Sequence, residues 1–220
     1  MRILHSSDLH GNYHGLLEAL QSPDWDVWCD TGDFFPNKTR GEVHVEVGHQ
    51  TRWFSYPRLG SRLTEAMKGR PLVSVSGNHD YISLASGVAA AGGVAFSLTG
   101  RAPPIQIGGF RFGGFREIPW IEGEWAGETH RGAFNSLVGE VLSQNPNVLL
   151  THAPPQGILD NDGGQGHGWG IEALTSSLFY TDHKVRAHFF GHIHQQGGKS
   201  ETHAGIGFHN GATKITLIQM

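Results

Sequence analysis

Apolar and polar positions along the chain switch repeatedly between a period of two and a period near 3.6, so strand and helix signals alternate from the first residues. Residues 2–7 predict a strand, and residues 12–21 place Leu16, Leu17 and Leu20 at helical spacing. Short apolar runs at 26–29 and 72–76 predict buried strands, with helices expected over 56–68 and 83–91. Residues 105–117 differ, because apolar alternation around Gly108-Gly109 predicts a hairpin. A helix over 133–144, a strand over 148–151, a helix over 171–179 and a strand over 187–190 follow, and residues 205–220 predict two more strands. Residues 34–53 show no clear period and read as a long loop, a kind of segment that in a compact domain is usually functional or mobile.

This order mixes βαβ units with hairpins, which is an α/β pattern. No composition break, repeat or low-complexity segment divides residues 1–220, so one domain is expected. Glycine makes up 32 of the 220 residues, about twice the usual ~7%, and predicts many tight turns and close backbone approaches. The single cysteine, Cys29, excludes an intrachain disulfide framework and suits a reducing compartment. A formal charge of -4 provides no basic field for stable nucleic-acid binding, so any attraction for phosphate must be local. The N-terminus lacks signal-peptide design and no 18-residue apolar run exists, so a cytoplasmic protein without membrane contact is expected.

Five short motifs each follow a predicted strand. They are Asp8-Leu9-His10, Gly32-Asp33, Gly77-Asn78-His79-Asp80, Thr151-His152 and Gly191-His192-Ile193-His194. Ligand sites of open α/β sheets collect just beyond strand carboxyl ends, so residues almost 190 positions apart are expected to meet there. Carboxylate, imidazole and amide oxygen together favour manganese, iron or zinc, and the missing thiolate cluster argues against a structural zinc site. Asp-x-His and His-x-His put two side chains on one side of an extended segment. Glycines before Asp33, Asn78 and His192 are expected to permit a sharp turn there. Any one motif is common by chance; the ordered set of five is not.

The set resembles the calcineurin-like metallophosphoesterases, over nearly the whole span from Asp8 to His194. That resemblance implies a four-layer fold, two facing mixed β-sheets flanked by helices, with a dinuclear metal site at one end. Carried over motif by motif, it implies one divalent ion on Asp8, His10, Asp33 and His194. It implies a second ion on Asp33, Asn78, His152 and His192, with Asp33 bridging. His79 would be a catalytic non-ligand beside the scissile phosphate, with Asp80 fixing its ring. Residues 151–160, 191–198 and 210–213 are further similar to the class III cyclic-nucleotide phosphodiesterase-like and MPPED-type branch.

The implied activity is hydrolysis of a small phosphate ester, with a nucleotide among the candidates. A metal-bridging hydroxide would serve as nucleophile and His79 as general acid. Two rival readings are a phosphomonoesterase or nucleotide pyrophosphatase on the same metals, and a non-catalytic scaffold of the same fold. A diester is favoured because no Lys or Arg lies within six positions of Asp80, His152 or His194 except Lys199. Arg52, Arg58 and Arg116 are the distant cations that folding can bring closer. Asn12 is expected to cap the helix after Asp8-Leu9-His10 or to reach the phosphate, and His167 in a glycine-rich stretch is a substrate-contact candidate. Phe34, Phe35 and Trp53 are expected to pack the 34–53 segment down, with stacking on a base as the alternative.

Overall fold

The computed structural model describes residues 1–56, 58–164 and 168–220. In chain order the first half contains β1 (Arg2–Ser6), α1 (His14–Gln21), β2 (Val27–Asp30), α2 (Val43–Ser55), α3 (Leu59–Met67), β3 (Leu72–Ser74), α4 (Leu84–Ala90) and β4 (Ala95–Ser97). Then come β5 (Ile105–Ile107), β6 (Phe110–Phe115), the short β7 (Ile118–Pro119) and β8 (Glu128–Thr129), α5 (Phe134–Ser143), β9 (Val148–Thr151), α6 (Glu172–Tyr180) and β10 (Ala187–Phe190). The chain ends in β11 (Ser200–His203), β12 (Ile206–Asn210) and β13 (Ile215–Gln219).

Alternation along the strands sorts these elements into four layers. On β1, β2 and β3, Ile3, Val27, Cys29 and Val73 face inward between two sheets. Their neighbours Leu4, Trp28 and Leu72 face outward onto Leu16, Leu20, Leu63 and Val88 of α1, α3 and α4. The second sheet repeats the rule: Phe112, Val148, Leu150 and Phe189 meet the first sheet, while Phe115, Leu149 and Phe190 pack on α5 and α6. A one-residue slip in any of these strands would exchange its two faces, so the two apolar layers hold the register. The first sheet has the order β13-β1-β2-β3-β4, with β13 antiparallel to β1 and the rest parallel. The second has the order β11-β12-β10-β9-β6-β5, parallel in its centre with antiparallel strands at both edges. Both sheets are mixed, as the resemblance implied. Among the described residues no helix is long and apolar enough to cross a membrane.

The largest departure from the sequence reading lies at 34–53. A helix, α2, occupies Val43–Ser55, and the helix expected over 56–68 begins only at Leu59. The buried residues of α2 are Glu46 and Gln50, so the middle of its inward face is polar and only Trp53 and Phe54 at its end pack on the core, which gives no clear hydrophobic period. Phe34 and Phe35 are buried and meet Trp53 edge-on at 6.0 and 5.9 Å, so these aromatics pack the segment against the core. Strand β4, the pair β7 and β8, and strand β11 were not anticipated. They are two to four residues long, and β11 is exposed throughout.

Two buried histidines contribute to a pH-dependent core. His5 bonds the Thr31 hydroxyl at 3.0 Å and His188 bonds that of Thr151 at 2.8 Å. The Thr151 hydroxyl donates to the Ala153 carbonyl at 2.6 Å, so His188 is the donor to Thr151 through Nε2–H and its Nδ1 carries a bare lone pair. Burial pulls both imidazoles down to about 3. The unfolded rings protonate near 6.5, so each contributes stability that is complete above about 6.5 and is lost as pH falls toward 3. Replacing His188 by Phe, beside Phe190 and Phe208, should reduce the acid slope of unfolding free energy by about 1.4 kcal/mol per pH unit between about pH 6 and pH 4. Urea titrations across that range provide the check, and identical slopes for the two proteins would contradict it.

Candidate metal centre

The five motifs converge where the parallel strands of both sheets end. After β1, the chain turns through Asp8 and His10, whose amides bond the carbonyls of Gly32 and Asp33 at 2.8 and 2.9 Å. After β10, the His192 amide donates to the Asp8 carboxylate at 2.9 Å, and Gly191 donates to the His152 carbonyl at 3.0 Å. Asp8, His10, Asp33 and His192 all have left-handed backbones, with φ of 52°, 43°, 55° and 67°. Such positions cost on the order of 1–3 kcal/mol each and persist only where the surroundings over-determine them. Their concentration in four motif residues marks a site whose geometry is imposed.

The glycines work in two different ways. Gly32 has φ +98°, which its position in the turn requires. Gly77 and Gly191 are needed for space, since a Cβ would lie 2.1 Å from Asp33 Oδ1 in the first case and 2.1 Å from Asp8 Oδ2 in the second. Their role is close approach to a carboxylate more than a turn.

Asp33 lies at the centre. Its Oδ1 accepts the His79 amide at 2.7 Å. Its Oδ2 faces Nε2 of His152 at 3.3 Å and those of His10 and His79 at 3.9 Å each. On one side, His194 Nε2 lies 3.2 Å from Asp8 Oδ1 and 3.4 Å from His10 Nε2. On the other, His152 Nε2 lies 2.9 Å from Asn78 Oδ1, and the His192 ring is 5.0 Å from that of His152. All seven expected ligand residues therefore assemble as two groups around Asp33. His79 shares a third grouping with His10 and Asp33.

The chemistry of this donor set fits two divalent cations. Asp8, Asp30, Asp33 and Asp80 are all buried, and among the described residues no Lys or Arg pairs with any of them. Buried carboxylates without counter-charge are unfavourable. Side-chain donors of three groups (Asp8, His10 and His194; His10, Asp33 and His79; Asp8, Asp33 and His152) lie within 4.8 Å of one another inside each group. Two of the imidazole contacts to Asp33 are too long for hydrogen bonds, so the donors converge on space rather than on each other. Burial alone would raise the Asp8 carboxyl, yet the His194 ring holds it below its ordinary range. Burial likewise disfavours charge on His152, but the Asp33 carboxylate prevails and raises its imidazole to about 10. At His192 burial dominates and lowers the imidazole to about 4.

Asp80 does not meet the His79 ring, contrary to the expectation. Its carboxylate accepts the amides of Asp33 and Gly77 at 2.8 Å each and of Phe35 at 3.2 Å, which ties the second and third motifs together. Burial and then Asp33 raise it to about 6. The ring partner of His79 is Asn37, whose Oδ1 lies 2.6 Å from His79 Nδ1. Asn12 is exposed, and α1 begins at His14 with Tyr13 as its N-cap residue and no side-chain cap, so the capping expectation fails. The expected contact residue His167 lies outside the described residues.

Above the two groups opens a cleft of about 370 Å³, lined among others by His79, Arg40, Trp125, Asp162, Trp169 and His194. Trp125 packs 4.3 Å from the His79 ring. Its loop is held by Glu128, whose carboxylate accepts the amides of Ile121, Glu122, Gly123 and Trp125. Arg40 pairs with Glu122 and with Glu124 and lies 5.3 Å over Trp125. Arg116, one of the distant cations considered from sequence, donates to the carbonyls of Gly77 and Asp80 at 3.2 and 3.1 Å and braces that loop from behind. Arg52 and Arg58 do not line the cleft. Sequence reasoning missed Asn37, Arg40 and Trp125. The available signal was the long segment 34–53, which does supply the first two.

Known proteins of this architecture place the chain. Its sequence is 24% identical over 213 residues to the UPF0046 protein K07C11.7 of Caenorhabditis elegans, covering 90% of this chain and 65% of that protein. In structure the chain is similar to a putative 5'-nucleotidase from Staphylococcus aureus, at TM-score 0.56 and 13% identity, covering 98% of this chain and 49% of the other. It is also similar to the sulfate thiohydrolase SoxB of Thermus thermophilus, at TM-score 0.51 and 11% identity, covering 98% and 54%. These two likenesses concern the fold, and the chain spans only about half to two thirds of the relatives' lengths. The sequence also matches the calcineurin-like phosphoesterases over residues 1–196, the stretch that contains every motif assembled around Asp33, and the chain belongs to that family.

Proposed function

We propose that the protein is a dinuclear metal-dependent phosphodiesterase. One observation carries this reading: the Asp33 carboxylate stands between two groups of metal-type donors, with His79 beside it and 26% exposed to the cleft. Asp8, His10 and His194 would hold one ion, Asn78, His152 and His192 the other, and Asp33 would bridge them. Manganese and iron suit these oxygen and imidazole donors, and zinc is compatible with them. Bound, the pair supplies Lewis acidity toward the phosphoryl oxygens and an acidified water as nucleophile. The protein's own residues do the rest. Asp33 and Asp8 offset cation charge, Asp80 fixes the backbone on which Asp33 and Asn78 stand, and His79 donates a proton to the leaving oxygen.

Charge at the cleft supports a diester. Arg40 is the one Lys or Arg lining it among the described residues, and that guanidinium already pairs with Glu122 and Glu124. Asp162 and Glu122 add negative charge at the rim. A monoester dianion gains most from free Arg or Lys through charge-assisted bonds, and none is offered here. A singly charged diester needs less. The volume and the Trp125 and Trp169 walls suit a small ester, a nucleotide among them.

Three outcomes follow. Asp33→Asn should lower metal content and nearly abolish turnover, whereas Asp80→Asn should only reduce turnover. Elemental analysis finding one ion per chain at saturating Mn2+ with full activity would contradict a dinuclear site. His79→Gln should slow esters of poorly acidic alcohols about 10²–10⁴-fold and spare nitrophenyl esters, whose leaving groups need little help. An equal loss across leaving groups together with loss of metal would make His79 a ligand instead. Finally, kcat/KM for bis(p-nitrophenyl) phosphate should exceed that for p-nitrophenyl phosphate at one pH and metal loading. The reverse preference would remove the diester assignment and leave the metal chemistry standing.

A further inference from the structure

We infer that Asn37 is a positioning residue that fixes the tautomer of His79, keeping a proton on Nδ1 and presenting Nε2 to the cleft. The contact between His79 Nδ1 and Asn37 Oδ1 is 2.6 Å, short enough to require a proton between them. Which end of the Asn37 amide faces the ring is decided by its other neighbours. Nδ2 lies 3.2 Å from the His79 carbonyl and 3.4 Å from the Glu46 carboxylate, and both of those groups only accept. Flipping the amide would set oxygen against two oxygens. Asn37 therefore accepts, and His79 donates through Nδ1–H.

Glu46 is held in turn. It is fully buried, and its carboxylate accepts the amides of Lys38 and Thr39 and the Thr39 hydroxyl, the last at 2.7 Å. One helical turn on, Gln50 donates to the His79 carbonyl at 2.7 Å and accepts the Tyr81 amide at 2.9 Å. The polar inward face of α2 thus has a purpose: Glu46 orients Asn37, and Gln50 anchors the backbone that carries His79. The ring is packed against Trp125, tilted at 4.3 Å, and against the perpendicular His10 ring at 4.9 Å.

The catalytic consequence rests on the reading of His79 as the proton donor. In the imidazolium, both ring nitrogens carry protons. The Nε2–H bond breaks as an O–H bond forms on the leaving oxygen, and the electron pair stays on Nε2. Because Nδ1–H remains bonded to Asn37, the proton released is the one facing the cleft. Without Asn37 the neutral ring is free to hold its proton on Nε2 instead, and its orientation relaxes.

Long-range 1H–15N correlation spectra of Zn2+-loaded, histidine-labelled protein test the inference, with the His79 signals identified by their loss in His79→Gln. Wild type should show the Nδ1–H tautomer. Asn37→Ala should shift His79 toward the Nε2–H form, whereas Asn37→Asp, which retains an accepting oxygen, should keep the wild-type pattern. With a poor leaving group, Asn37→Ala should lower kcat about 10- to 100-fold, the range typical of losing a group that orients a functional histidine. Metal content should be unchanged, and no further loss is expected in the His79→Gln background. A wild-type Nε2–H tautomer, or one that Asn37→Ala leaves unaltered, would overturn the inference. A tautomer shift without leaving-group dependence would sustain the positioning role of Asn37 and refute the acid role of His79.

Discussion

A buried carboxylate that must be kept ionised and aimed sets the terms for the rest of this structure. Asp33 is 2% exposed, close to Asp8 and Asp80, and faces three imidazoles. Burying one such charge without compensation costs several kcal/mol, and several together cost more. The protein supplies the amide N–H of His79 and, through Asp80, a clamp on the backbone of Asp33 itself. Among the described residues no Lys or Arg reaches Asp33, so its charge is met by imidazoles alone, a set of donors that also suits cations in the centre.

The fold meets this constraint by distributing the donors over strands of both sheets. β1 and β2 in the first sheet and β9 and β10 in the second deliver Asp8, Asp33, His152 and His192 to one end of the sandwich. Because the two apolar layers fix strand register, a donor at a strand end cannot shift without exposing a face of its strand. The four left-handed motif residues then bend each chain end inward, and cross-links such as His10 to Asp33 and His192 to Asp8 hold those bends. Rigid layers and strained ends together let residues far apart in sequence meet within a few ångströms.

Much of this was legible in the sequence, for physical reasons. Strands at 148–151 and 187–190 match the structure because they are buried on both faces and mostly apolar, with only Thr151 and His188 polar. The residues that converge around Asp33 were legible because Asp-x-His, Gly-Asn-His-Asp and Gly-His-x-His each demand specific residue types at specific spacing. What stayed hidden has a common cause: polar residues that are buried for positioning carry no period and no motif. Glu46 and Gln50 made α2 look like a loop, and Asn37 stood in that same stretch with nothing to distinguish it from a turn residue. Asp80 was misjudged for a related reason, since proximity in sequence to His79 suggested a ring contact, while its carboxylate turns to three backbone amides. Arg40 and Trp125 enter the cleft from loops whose approach depends on tertiary contacts alone.

In the proposed centre Asp33 would hold two ions within bridging distance of each other. Electron paramagnetic resonance of the protein titrated with Mn2+ addresses it directly. A second equivalent should convert the signal of isolated ions into the exchange-coupled spectrum of a bridged pair, and Asp33→Asn should abolish the coupling. Saturation at one ion, or two ions whose spectra simply add, would contradict it.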